Sequence, residues 1–114
     1  MTRQEVSERY QIPTEVLREY ESWDLCGSVQ QGQYSGLDLE RLSLILILQE
    51  IGFSANEVEA YMRLTLARDG GRTARLRLLE QKRRSTLNEI HCLEKRVAHM
   101  DYLRHQIKTE QKSR

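Results

Sequence analysis

The sequence has little of what most enzymes, secreted proteins and membrane proteins depend on. Its 114 residues include two cysteines, one proline, one phenylalanine and one tryptophan. Cys26 and Cys92 are too far apart for a metal-binding or redox motif, and two isolated cysteines are typical of a reducing compartment. The longest apolar run, residues 44–48, is far too short to cross a bilayer. The polar N-terminus predicts no secretory signal, so we expect a cytoplasmic protein that does not associate with membranes.

Positive charge is scarce in the first half of the chain. Residues 1–60 carry four basic and eleven acidic side chains, a net charge of −7, whereas residues 61–114 carry fourteen basic and six acidic ones, a net charge of +8. Nucleic-acid affinity rests mostly on neutralising phosphates, so the location of the arginines matters more than their total. The basic stretch at 75–84 is either a solvated helix flank or a contact with nucleic acid or with the acidic half of a second subunit.

Helix-start signals predict four helices in the first 71 residues, which we call the head. Three helices begin with the spacing of a capping box, at Thr2–Glu5, Ser35–Asp38 and Ser54–Glu57. The predicted helices run from Thr2 to about Tyr10, from Pro13 to about Trp23, from Ser35 to Gly52, and from Ser54 to near residues 69–71. Between the second and third lies CGSVQQGQY (26–34), the wing, which reads as a loop or a tight β-ribbon. The fold class is therefore all-α, with at most a minimal β-ribbon.

Residues 72–114 form the second predicted region, a long dimerisation helix. No proline or glycine interrupts residues 72–111, which at ~1.5 Å per residue span roughly 60 Å. Apolar residues recur at alternating three- and four-residue steps, forming a seam of Leu76, Leu79, Ile90, Leu93, Val97, Met100 and Ile107. Arg83, Thr86 and Arg104 interrupt it. A lone helix would leave this seam in water, so a coiled coil between two chains is expected. Folding back onto the head is the alternative, but it leaves the far half of the helix uncovered.

Three segments resemble the MerR family of bacterial transcription regulators. They are VLREYE (16–21), YSGLDLERLSLILILQEIGFSANEVEAY (34–61) and RLRLLEQKRRSTLNEIHCLEKRVAHMDYL (75–103). The resemblance implies a winged helix-turn-helix head that binds promoter DNA, and a homodimer joined by an antiparallel coiled coil. It also implies that Arg18 and Tyr34, with Arg3 and Arg41 as further candidates, contact the DNA backbone.

The sequence departs from the family pattern where DNA contacts are expected. The family's second helix usually reads Leu-Arg-Tyr-Tyr-Glu, and here Glu19 stands at the first tyrosine position. The wing is shortened and has no basic residue, and Leu46 and Ile47 stand where the family's third helix carries arginines. If those two side chains are exposed, they form a possible protein interface; if the helix is buried on both sides, they are core.

Two hypotheses follow for the function. The first is a dimeric DNA-binding transcriptional regulator without an effector domain, since no further segment follows the coil to hold one. The second is a protein-interaction module that has lost autonomous DNA binding and acts as a heterodimer partner, modulator or assembly factor. We expect no enzyme activity, no cofactor and no metal, because no nucleophile–base pair, phosphate loop or ligand cluster is present.

Overall fold

The computed structural model describes residues 1–112, and the described chain contains five α-helices and no β-strand. Their bounds are α1 Arg3–Tyr10, α2 Thr14–Trp23, α3 Gly36–Glu50, α4 Ala55–Leu64 and α5 Arg72–Lys112. The predicted all-α class is therefore confirmed. In the described residues, no helix is both long enough and apolar enough to cross a membrane.

Capping determines where the first, third and fourth helices begin. Thr2, Ser35 and Ser54 each accept a hydrogen bond from the backbone N–H three residues later, and the acidic residue at that position bonds back to the cap. All three predicted capping boxes are present. Pro13 immediately precedes α2 as its N-cap, since it has no backbone N–H to leave unsatisfied.

The end of α4 was predicted wrongly. The helix stops at Leu64 rather than near residues 69–71, and the Thr65 hydroxyl donates to the carbonyl of Met62 at 2.5 Å. The chain then reverses through Gly70 and Gly71, both at positive φ, before α5 begins. A β-carbon on Gly71 would lie 2.5 Å from the carbonyl oxygen of Leu64. The junction therefore depends on glycine at this position.

The wing is a tight turn with a single antiparallel bridge. Gln30 and Gln33 exchange backbone hydrogen bonds of 3.3 and 2.8 Å around Gln31 and Gly32, which both have positive φ. Two central residues in the left-handed region are typical of the tightest hairpin connection. The sequence left a loop or a tight β-ribbon as possibilities for the wing, and the structure shows the smallest form of a β-ribbon.

The chain divides into two compact units, Met1–Arg75 and the helix from Leu76 onward. In the first unit α1 packs on α2 and α3 packs on α4. Its core contains fully buried side chains from all four helices and from the residue directly before the wing: Val6, Leu17, Tyr20, Leu25, Leu42, Ile45, Leu48, Val58 and Met62. This core holds α2 with one face inward and its polar face in solvent.

Candidate nucleic-acid interface

The exposed face of α2 presents one arginine among carboxylates. Leu17 and Tyr20 point into the core, whereas Glu15, Arg18 and Glu19 are exposed. Within residues 1–112, Arg18 makes no hydrogen bond and no ion pair, so its guanidinium is available to an anion. It is the predicted DNA-binding residue whose position best suits that role.

Arg18 lines a shallow open groove between the beginning of α1 and the beginning of α2. The groove is lined by Thr2, Arg3, Gln4, Ser7, Glu8, Thr14 and Arg18. The structure therefore brings two of the four predicted residues, Arg3 and Arg18, to one surface. Guanidinium and hydroxyl groups are the donors that proteins use on phosphate oxygens. Sequence reasoning missed Thr14, although its place as the first residue of α2, the helix that carries Arg18, was a usable signal.

Arg3 is bound within the head. Its Nε donates to Oε2 of Glu21 at 2.6 Å, and this contact raises the pKa of the Arg3 guanidinium. The pair joins the start of α1 to the end of α2, and it neutralises one of the four acidic side chains in residues 15–24. Glu21 is thus a structural partner of Arg3, which local sequence did not reveal. Glu15 and Glu19 have no ion-pair partner in the described chain, and both remain unbalanced charges beside Arg18.

Arg41 is half-buried and contacts the start of the wing. Its Nη2 donates to the carbonyl of Cys26 at 2.6 Å, and its Nη1 lies 3.4 Å from the hydroxyl of Tyr20. That hydroxyl in turn donates to Oδ1 of Asp38 at 2.5 Å. Arg41 therefore ties the start of the wing to α2 and α3, and its guanidinium already has partners within the head.

Tyr34 lies in the core, with only 5% of its surface exposed. Its hydroxyl donates to the carbonyl of Leu17 at 3.4 Å, and its backbone N–H donates to the carbonyl of Met1 at 2.6 Å. Burial, with Glu21 nearby, raises the pKa of its phenol. The expectation that the Tyr34 side chain reaches phosphate does not fit this position, because a phosphate has no access to a buried hydroxyl.

The wing offers amides in place of arginines. Gln30, Gln31 and Gln33 are exposed around the turn, and no charged side chain stands between Cys26 and Tyr34. Side-chain amides can donate to DNA phosphates and bases. However, they add nothing to the electrostatic part of the affinity.

Leu46 and Ile47, the possible protein interface, differ in exposure. Ile47 is 55% exposed and Leu46 is half-buried, and Ile51 one turn later is 41% exposed. Only part of this end of α3 therefore presents an apolar surface. The sequence left two alternatives, an exposed protein interface or a buried core, and neither describes this end of α3 fully.

The predicted seam of α5 lies mostly in solvent in the single chain. Leu79 is half-buried, and the other six seam residues range from 44% exposed at Ile90 to 59% at Met100. Tyr102 and Leu103, outside the seam, are also exposed. Such a long apolar row on one helix is unusual for a surface that stays in water.

The described residues contain no group of three or more histidine, cysteine, aspartate or glutamate side chains placed to hold a metal ion. Cys26 and Cys92 are both free and exposed.

Residues 1–65 match the family model described as MerR HTH family regulatory protein. The matched region covers α1 to α4, the wing and the groove that contains Arg18. No curated protein and no solved structure matches the chain.

Proposed function

We propose that this chain, which belongs to the MerR HTH family of regulatory proteins, is a DNA-binding transcriptional regulator that acts as a dimer through α5. The observation that carries the proposal is the family match across the whole helix-turn-helix region. The unpaired Arg18 on the exposed face of α2 supports it.

Arg18 is the principal phosphate contact in this proposal. Thr14 and Thr2, which line the same groove, supply neutral donors beside it. Arg3 is held by Glu21 and contributes through the exposed part of its guanidinium, whereas Tyr34 and Arg41 support the interface through their hydrogen bonds within the head. The head thus binds with fewer charged contacts than its family pattern implies, so its affinity for DNA is modest and depends on dimerisation.

The dimer is supported by the exposed seam. Full burial of a leucine, isoleucine, valine or methionine side chain contributes about 1.5–3 kcal/mol. Seven such residues per chain provide ample driving force even after the entropy of association. Light scattering on wild type and Leu93→Asp tests this: the wild type is expected to be a dimer and the variant a monomer.

Fluorescence anisotropy with duplex DNA at ~50 mM salt tests DNA binding. Arg18→Ala is expected to weaken binding and to reduce the salt slope by about 0.9 per subunit, because one phosphate contact is lost from each. Arg9→Ala is the matched control, since it removes an exposed arginine of α1 that does not line the groove. A dimer that fails to bind DNA even at low salt would overturn the proposal. A salt slope unchanged in Arg18→Ala would remove the assigned contact.

A further inference from the structure

We infer that two copies of α5 pair antiparallel with their twofold axis beside Lys95. In this register Ile90 faces Met100 of the second copy, and Leu93 faces Val97 of the second copy. The inference rests on the proposed antiparallel dimer and adds the alignment of its two helices. It is carried by the order of apolar and charged side chains along α5, which runs without interruption from Arg72 to Lys112.

The two arginines in the seam favour the antiparallel orientation of this dimer over a parallel one. Arg83 and Arg104 occupy seam positions, and both are exposed in the single chain. A parallel, in-register pair would place each arginine directly against its own copy, which is a like-charge contact inside the interface. In the antiparallel pair Arg83 lies opposite Ile107 and Arg104 lies opposite Thr86. The arginine stems then cover apolar surface while their charged ends reach solvent.

The apolar order of the seam selects the register. In an antiparallel pair, the seam residues of the two copies face each other only at certain positions of the twofold axis, which are spaced half a heptad apart. The positions that also keep most of α5 paired lie at residue 88, between residues 91 and 92, and at residue 95. The axis at 95 places four consecutive apolar layers at the centre of the coil. These are the Ile90–Met100 and Leu93–Val97 layers, each formed twice.

The axis between residues 91 and 92 interrupts the apolar layers. It keeps Ile90 against Leu93 at the centre, but the next layers outward pair Val97 with Thr86 and Met100 with Arg83. Apolar pairing returns only at the outermost layers. Burying an apolar side chain stabilises the coil most when the side chain facing it is also apolar, because a polar side chain in that position must be desolvated. The axis at 95 is therefore the better arrangement of the same residues.

The charges beside the seam exclude the axis at 88. That axis would place Lys82 beside Arg96 and Glu80 beside Glu94, each twice. The axis at 95 instead places Glu80 beside Lys108 and Lys82 beside Glu110, each twice. Like charges then meet only at the axis itself, at Glu94 and Arg96. Opposite charges at these flanking positions set orientation and partner choice in coiled coils.

The register sets how far apart the two α5 N-termini lie. With the axis at 95, Arg72 of one copy and Arg72 of the other are about 69 Å apart along the coil, at ~1.5 Å per residue. With the axis between 91 and 92 the same separation is about 58 Å. The alignment of the seam thus determines the separation of the two α5 N-termini.

Cysteine crosslinking tests the register on the full-length chain with Cys26→Ser and Cys92→Ser as the background. Arg96→Cys and Glu89→Cys are compared, because each residue directly precedes a seam residue on the same flank of the helix. With the axis at 95, the two copies of position 96 lie about 3 Å apart along the coil and those of position 89 about 18 Å apart. A short bifunctional thiol reagent is therefore expected to convert most of the Arg96→Cys chain to covalent dimer and little of the Glu89→Cys chain.

The other outcomes each overturn the inference. Stronger crosslinking at position 89 than at 96 indicates one of the other two antiparallel axes, and equal crosslinking indicates parallel helices. No crosslinking in a protein that light scattering shows to be dimeric means that the dimer uses another surface. A monomer by light scattering overturns the proposed dimer itself, which separates that failure from a wrong register.

Discussion

Replacing Asp38 with alanine is expected to destabilise the head strongly, because one buried carboxylate holds three hydrogen bonds. Asp38 is 1% exposed and accepts from the Tyr20 hydroxyl at 2.5 Å, from the backbone N–H of Ser35 at 2.7 Å and from the Ser35 hydroxyl at 3.0 Å. The first bond joins α2 to α3, and the other two cap α3. One side chain thus carries both a tertiary contact and a helix start.

The magnitude follows from these contacts. A hydrogen bond to a charged group contributes about 1.5–3 kcal/mol. Loss of the cap costs about 1 kcal/mol more. Asp38→Ala should therefore lower the free energy of unfolding by about 3 kcal/mol, a large fraction of the stability of a small domain. Tyr20→Phe should cost less, because it removes the donor and leaves the cap intact.

Urea unfolding at one fixed protein concentration measures these values, since a dimer's stability depends on concentration. The double variant completes a cycle in which Tyr20 and Asp38 should couple by about 1.5–3 kcal/mol. Glu40→Ala is the matched control, an exposed acid two residues later on α3, and it should change stability little. A coupling energy below about 0.5 kcal/mol would refute the assignment of this contact as the tie between α2 and α3.

Three further predictions concern the junction, alkaline stability and the charge of α2. Gly71→Ala should destabilise by about 2 kcal/mol or more in urea unfolding, because φ is +61° and the new methyl meets Leu64; Gly36→Ala, with open space around it, should be near neutral. Burial raises the pKa of Tyr20 from 10.0 to about 12, so the unfolded chain ionises first. The free energy of unfolding should thus be fully retained below about pH 10 and fall as the pH rises towards 12. The fall should be less steep in Tyr20→Phe, and equal slopes of stability against pH in the two proteins would contradict this. Glu19→Gln should tighten binding to duplex DNA by roughly threefold or more in anisotropy titrations, because it removes a carboxylate beside the phosphate contact. Glu50→Gln removes the same charge elsewhere on the head, and an equal gain there would show that only net charge matters.

Local patterns were sufficient for most of the helices. The capping boxes at Thr2, Ser35 and Ser54 were read correctly because both partners of each lie within four residues of one another. The end of α4 was misjudged because the glycines that marked it, Gly70 and Gly71, end the connection to α5 rather than the helix. The helix itself stops where Thr65 bonds back to Met62.

The site could be predicted only in part. The sequence predicted that Arg18 contacts DNA, and the structure leaves its side chain exposed, because Leu17 and Tyr20 turn the opposite face of α2 inward; the contact itself stays a prediction. Sequence reasoning gave the same role to Arg3, Arg41 and Tyr34, which have internal partners in the structure. These partners lie 15 or more residues away in the chain, so no local pattern reports them.

By itself, the sequence determined the helix starts, the uncharged wing and the apolar row along α5, because each depends on the identity and spacing of near neighbours. Only the tertiary structure decided which polar side chains remain free for a partner. The packing of α1 and α3 against α2 brings Glu21 to Arg3 and Asp38 to Tyr20, and it buries Tyr34. Arg18 is left exposed between carboxylates because it lies on the face of α2 that no other part of the head covers.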